Sequence, residues 1–75
     1  MKYPSEKSIQ LLIGQKVKKY RLEKGFSQAV LCYQTDIDIS TLSRLERGGL
    51  NVTLQTLYKI GAHLDVPLEE FFKGV

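Results

Sequence analysis

A chain of 75 residues, 43% hydrophobic and 25% charged with a formal net charge of +3, is one domain at most and too rich in aliphatic residues to be disordered. Its single cysteine, Cys32, excludes an internal disulfide and a cysteine-based metal cluster. No apolar run approaches the roughly 18 residues of a membrane span, and the opening MKYPSEKS carries no apolar block of signal-peptide length, so the expected location is the cytoplasm with no membrane partner.

The charge is uneven. Lys2, Lys7, Lys16, Lys18, Lys19, Arg21 and Lys24 oppose only Glu6 and Glu23, a local balance of +5 over residues 1–24, whereas the remainder sums to −2. Such a basic third either faces phosphates or is a solvated helix face, and charge alone does not choose between them.

Residues 1–7 read as a short arm and 8–75 as the folded domain. Ser5 or Ser8 suits the N-cap of a first helix in which Ile9, Leu12, Ile13, Val17 and Tyr20 recur at three- and four-residue steps, down to Lys24 and a stopping Gly25. Ser27 caps a short second helix from about Gln28 to Thr35, with Leu31, Cys32 and Thr35 inward. Asp36, Ile37 and Asp38 make a turn. Asp tolerates the left-handed backbone needed just past a helix, which suits Asp36; Asp38 is placed to cap the third helix by accepting from the N–H groups of Ser40 or Thr41. Ile39, Leu42 and Leu45 give that helix a buried side, closed by Gly48 and Gly49. Thr53 caps a fourth helix with Leu54, Leu57, Ile60, Gly61 and Leu64 inward, broken at Asp65 and Val66. Pro67 starts a last helix whose Leu68, Phe71 and Phe72, with Val75, either close the core or build a dimer seam.

Catalytic chemistry has little to stand on. Cys32 and His63 lack an orienting third group, so Cys32 is expected to fill the gap where helices two and three cross and His63 to sit outside. The Gly48–Gly49 pair is followed by no phosphate-loop lysine and is read as helix termination, and Glu69 and Glu70 as dipole partners at a helix start. No enzyme activity, cofactor or metal is expected.

Two short helices joined by a three-residue turn form a helix-turn-helix, here at about residues 28–47. From Ile13 to Phe72, and most specifically in FSQ (26–28), STLSRLERG (40–48) and VPLEEFF (66–72), the chain resembles the XRE family of helix-turn-helix regulators, which includes phage repressors and Cro proteins. The resemblance implies an all-α, compact five-helix bundle of the lambda-repressor-like type, with helices 2 and 3 as the motif. Gln28 matches a glutamine that anchors to a phosphate and supports the recognition helix. Ile39, Ser40 and Arg44 match positions that reach base edges, Thr41 and Ser43 flank them, and Arg47 and Asn51 join the DNA-binding set. Arg44 suits guanine O6 and N7, Ile39 a thymine methyl, and Ser40, bonding either way, specifies little. Arg21 and Glu46 match a salt bridge between the first and third helices.

The chain also departs from that family. Asp36 stands in place of glycine and Asp38 in place of serine or threonine, which should lower general DNA affinity and sharpen selectivity. Ala29, Val30 and Tyr33 replace charges on the outer side of helix two, arguing against activation through that face. Gly61 replaces alanine, at a helix-propensity cost of ~1 kcal/mol. The expectation is a repressor without an attached sensor domain, binding double-stranded DNA as a homodimer on a palindromic operator. The alternative is a protein-interaction or antitoxin-like module on the same fold, its partner held at Ala29, Val30 and Tyr33 or at the C-terminal aromatics.

Overall fold

Each helix begins and ends where side-chain chemistry demands it. The computed structural model describes residues 5–74, in the order α1 (Glu6–Lys24), α2 (Gln28–Thr35), α3 (Ile39–Glu46), α4 (Leu54–Leu64) and a 3-10 segment, Leu68–Phe72. Ser5, Ser27 and Thr53 accept from the backbone N–H of Ser8, Val30 and Thr56, each at 3.1 Å, caps of about 1 kcal/mol apiece. All four helices turn off through a left-handed residue: Gly25, Asp36, Gly48 and Asp65. Those turns are closed by the N–H of Phe26 on the Arg21 carbonyl, Ile37 on Cys32, Gly49 on Arg44 and Val66 on Gly61. Of the seven residues read as an arm, Ser5 is the cap and Glu6 and Lys7 open α1; residues 1–4 lie outside the described part.

The core joins Ile13 and Val17 of α1, Leu31 and Cys32 of α2, Leu42 and Leu45 of α3, and Leu57, Ile60 and Leu64 of α4 around Phe71. Phe71 is fully buried and meets Tyr20 edge-on, ring centroids 5.9 Å apart. Among the described residues all regular structure is helical, and no helix is long and apolar enough to cross a membrane.

Three expectations need correction. There are four α-helices, not five: the last segment, five residues from Leu68 to Phe72, is a 3-10 helix whose first bond, Glu70 N–H to the Pro67 carbonyl at 3.0 Å, closes one residue sooner than an α-helix would. Ile39 and Leu54, expected inward, are 54% and 64% exposed. Each is the first residue of its helix, ahead of the turn that packs. Gly61 is no propensity defect, because a Cβ there would stand 2.5 Å from the Val66 carbonyl oxygen and 3.0 Å from the Phe71 ring. Gly14 serves α1 likewise: a Cβ would collide with the Leu45 carbonyl of α3, so the two backbones approach to a distance only glycine permits.

Gly61→Ala should therefore lower stability by about 1–3 kcal/mol through overpacking, although propensity alone favours alanine. Urea unfolding measures it; a raised midpoint would mean that Phe71 is loosely seated.

Candidate nucleic-acid interface

Three helix ends meet at one carboxylate. Arg21, in the last turn of α1, donates from Nε to Glu46 Oε2 at 2.7 Å and from Nη2 to Oε1 at 3.0 Å, while Nη1 donates to the Phe26 carbonyl at 2.8 Å. Gln28, first residue of α2, donates from Nε2 to the same Glu46 Oε1 at 3.1 Å. The Arg21 and Glu46 side chains are 7% and 3% exposed, and no fully buried side-chain polar atom among the described residues lacks a partner. Glu46 closes α3, so this cluster fixes α3 against the head of α2 and the tail of α1. Gln28 thus spends its side chain on supporting α3. At the head of α2 its own N–H and that of Ala29 have no intrahelical partner.

With Leu42 and Leu45 in the core, the other side of α3 faces out. Ser40, Arg44 and Arg47 are exposed at successive turns, Ile39 is beside them, Thr41 and Ser43 are half-buried at the margin, and Asn51 is exposed in the loop before α4. Of these sequence-chosen residues, Ile39, Ser40, Thr41, Ser43, Arg44 and Arg47 therefore lie on or beside one open helix face, whereas Gln28 and Asn51 belong to other segments.

Asp38 occupies the N-cap position of α3 but makes no capping bond to a backbone N–H. Its Oδ2 accepts instead from the Ser40 hydroxyl at 3.1 Å. A hydroxyl two residues on competes for the carboxylate, while the Asp38 carbonyl already takes the Leu42 N–H at 3.0 Å. Asp36 is the left-handed residue that ends α2, at φ 58°. Both acids thus sit at the entry to the open face.

The basic first third is not one patch. Arg21 is buried in its ion pair, Lys24 pairs with Asp65, and Lys16 donates to the Glu70 carbonyl at 3.2 Å; Lys2 lies outside the described residues. Lys24 holds the Asp65 carboxyl below its usual range, chiefly by its hydrogen bond. Glu70 is no mere dipole partner: it pairs with Lys73 at 2.7 Å and takes the Tyr20 hydroxyl at 3.2 Å. The Lys73 bond lowers the Glu70 carboxyl and is raised in return. These ties serve the C-terminal seam.

Among the described residues Cys32 and His63 share no hydrogen bond. Burial, then the charges of Asp38 and Glu46, push the Cys32 thiol up against an opposing Arg21, which leaves it a packing residue without an activated thiolate. His63 is exposed, its Nδ1 3.0 Å from the Lys59 carbonyl oxygen. Among the described residues no His, Cys, Asp or Glu cluster is arranged to hold a metal. The sequence reading missed Gly14, whose spacing within an apolar stripe was its only signal.

The helix-turn-helix family HTH_3 matches residues 17–71. The control protein C.MunI from Mycoplasma is 40% identical over 68 residues, 89% of this chain and 92% of its own. The crystal structure of the restriction-modification controller protein C.AhdI from Aeromonas hydrophila superposes with a TM-score of 0.82 at 32% identity, covering 87% of this chain and 98% of that one. SinR, a transcriptional regulator of Bacillus subtilis, is 43% identical over 56 residues, 73% of this chain but half of SinR. Its structure in complex with DNA matches with a TM-score of 0.78 at 39% identity, over 81% of this chain and 98% of that one. A complex of the SinR and SinI proteins matches as well, with a TM-score of 0.79 at 38% identity, over 83% of this chain and 61% of that one.

If the Arg21–Glu46 pair is architectural, Glu46→Ala and Arg21→Met should each cost about 3–5 kcal/mol by stranding a buried charge. Replacing both together, Arg21→Met with Glu46→Leu, should recover most of that loss in denaturant unfolding. Full stability in Arg21→Met with lost DNA affinity would instead place Arg21 in the DNA-facing set.

Proposed function

The chain belongs to the HTH_3 family of helix-turn-helix proteins, the XRE-type regulators, and on that premise we propose that it is a sequence-specific DNA-binding transcriptional regulator whose α3 enters the major groove. The observation that carries this reading is the open ridge of Ser40, Arg44 and Arg47 on a helix whose opposite side is locked by Leu42, Leu45 and Glu46. An α-helix with its side chains is about 10–12 Å across, which fits a major groove about 12 Å wide. Arg44 reads guanine through O6 and N7, and Ile39 packs on a thymine methyl. Thr41, Ser43, Arg47, Asn51 and the head of α2 at Gln28 hold phosphates and set the register. The SinR structure solved with DNA supports this placement.

The regulator acts as a repressor, a homodimer covering a palindromic promoter site, since one module of this size reads few base pairs. Phe71, one of the residues expected at the dimer seam, is fully buried and belongs to the core; Leu68 is half-buried, Phe72 is 39% exposed, and Val75 lies outside the described residues. The larger exposed apolar surface is on α4, where Leu54 and Tyr58, one turn apart, are 64% and 65% exposed. The seam therefore runs along α4, with Phe72 at its edge. A protein partner is the second reading, favoured by Tyr33 and Val30, 90% and 41% exposed on the outside of α2.

Binding to random duplex should fall steeply between low and physiological salt. On a duplex selected from a random pool, Arg44→Ala should cost about 1–3 kcal/mol by fluorescence anisotropy. Absent or salt-insensitive binding would favour the protein-partner reading. In sedimentation, Tyr58→Asp should shift a dimer to monomer while Phe72→Ser weakens it less; a wild-type monomer both free and on DNA would refute the dimer.

A further inference from the structure

At the head of the α3 ridge the hydrogen-bond valences are already assigned. Ser40 has one hydroxyl proton, and it points to Asp38 Oδ2 at 3.1 Å. What Ser40 offers outward is then lone pairs alone. Asp38, in its ionised form, is likewise acceptor-only, and its carboxylate is not consumed by capping the helix. Both residues are exposed. The side chains of this corner offer acceptors and no donor, whereas the guanidinium of Arg44 one turn further has donors and no acceptor.

We infer that the Asp38–Ser40 pair is a specificity element that selects a base carrying an exocyclic amino group, cytosine through N4 or adenine through N6, and rejects guanine and thymine on the same strand. This rests on the reading that α3 enters the major groove. There cytosine N4 and adenine N6 are donors, whereas guanine O6 and thymine O4 are acceptors. A keto oxygen opposite this corner meets a carboxylate and a hydroxyl that has no proton left to give, so the discrimination comes from repulsion as well as from a bond. A phosphate, which too only accepts, finds no side-chain donor in this pair. Ser40, which as a free hydroxyl would bond either way, acquires a sense from its neighbour. Four residues along a helix span ~6 Å and bases on a strand are about 3.4 Å apart, so the amino base lies about two steps from the guanine that Arg44 contacts.

The test is selection from a random duplex pool with the wild-type chain, Asp38→Asn and Ser40→Ala, followed by atom deletion at the position where the selections differ. Asparagine keeps the shape and adds a donor, and since Asp38 makes no capping bond its replacement should leave the melting temperature nearly unchanged. Wild type should recover cytosine or adenine at one position per half-site, while Asp38→Asn accepts guanine or thymine there. Replacing that cytosine by 2-pyrimidinone, or that adenine by purine, removes only the amino group. It should weaken wild type roughly 5- to 100-fold and Asp38→Asn less than about twofold. Ser40→Ala should keep the preference with a smaller ratio, because the carboxylate remains. Removing a negative charge tightens binding to every duplex alike, so only ratios between duplexes are compared. A selected site at which the amino group is dispensable, or at which wild type prefers a keto base, would overturn the inference and leave DNA recognition standing. No selected site at all would overturn the DNA reading itself.

Discussion

The Glu46 carboxylate is the point on which the geometry of this molecule turns. It accepts two bonds from Arg21 and one from Gln28, tying the end of α3 to the end of α1 and the start of α2. Eight residues do not hold a helix in water by themselves, so the direction of α3 is set by what it leans on. Leu42 and Leu45 fix its roll about its axis, and Glu46 fixes where its far end sits. The close approach at Gly14, where α1 meets the Leu45 carbonyl, makes the contact backbone to backbone. Rigid placement of that kind is what lets several side chains meet base edges at once, because the entropy of arranging them is spent in folding and not in binding.

The two acids in the turn, a poor choice for a surface facing a polyanion, find their reason in local structure and in selectivity together. Asp36 supplies a left-handed residue where the chain reverses, one of the few non-glycine side chains that does so readily. Asp38 opens α3 and holds the Ser40 hydroxyl. Part of the positive charge that would offset them is engaged elsewhere: Arg21 inside, Lys24 on Asp65, Lys16 on the Glu70 carbonyl.

At the other end of the molecule Phe71 plays the part that a fifth helix would otherwise play. Its ring rests on the surface bared by Gly61 and on Tyr20, and the Glu70 side chain joins Tyr20 and Lys73. Five residues in a 3-10 turn close the core because one large aromatic fills the space between α1 and α4. That leaves the outer face of α4, with Leu54 and Tyr58, as uncovered apolar surface.

The sequence by itself determined what depends on near neighbours along the chain. Ser27 and Thr53 as caps, Gly25 and Gly48 as stops, and the inward stripe of Leu31, Cys32 and Thr35 were legible, because capping and helical periodicity act within four residues; the first cap stayed open between Ser5 and Ser8. The matching motif placed Arg21 opposite Glu46 and put the exposed residues of α3 in order. Tertiary structure decided what depends on residues far apart. Gly61 looked like a weakness until Phe71 lay on it; Ile39 and Leu54 looked inward by spacing until the first turn of each helix proved to overhang the core. Charge alone left the basic third open between phosphates and solvent; the fold buries Arg21 on Glu46 and brings Asp65 and Glu70 to Lys24 and Lys16. A pattern records which side chains share a face, but the distance between two backbones is fixed only when the whole chain is in place.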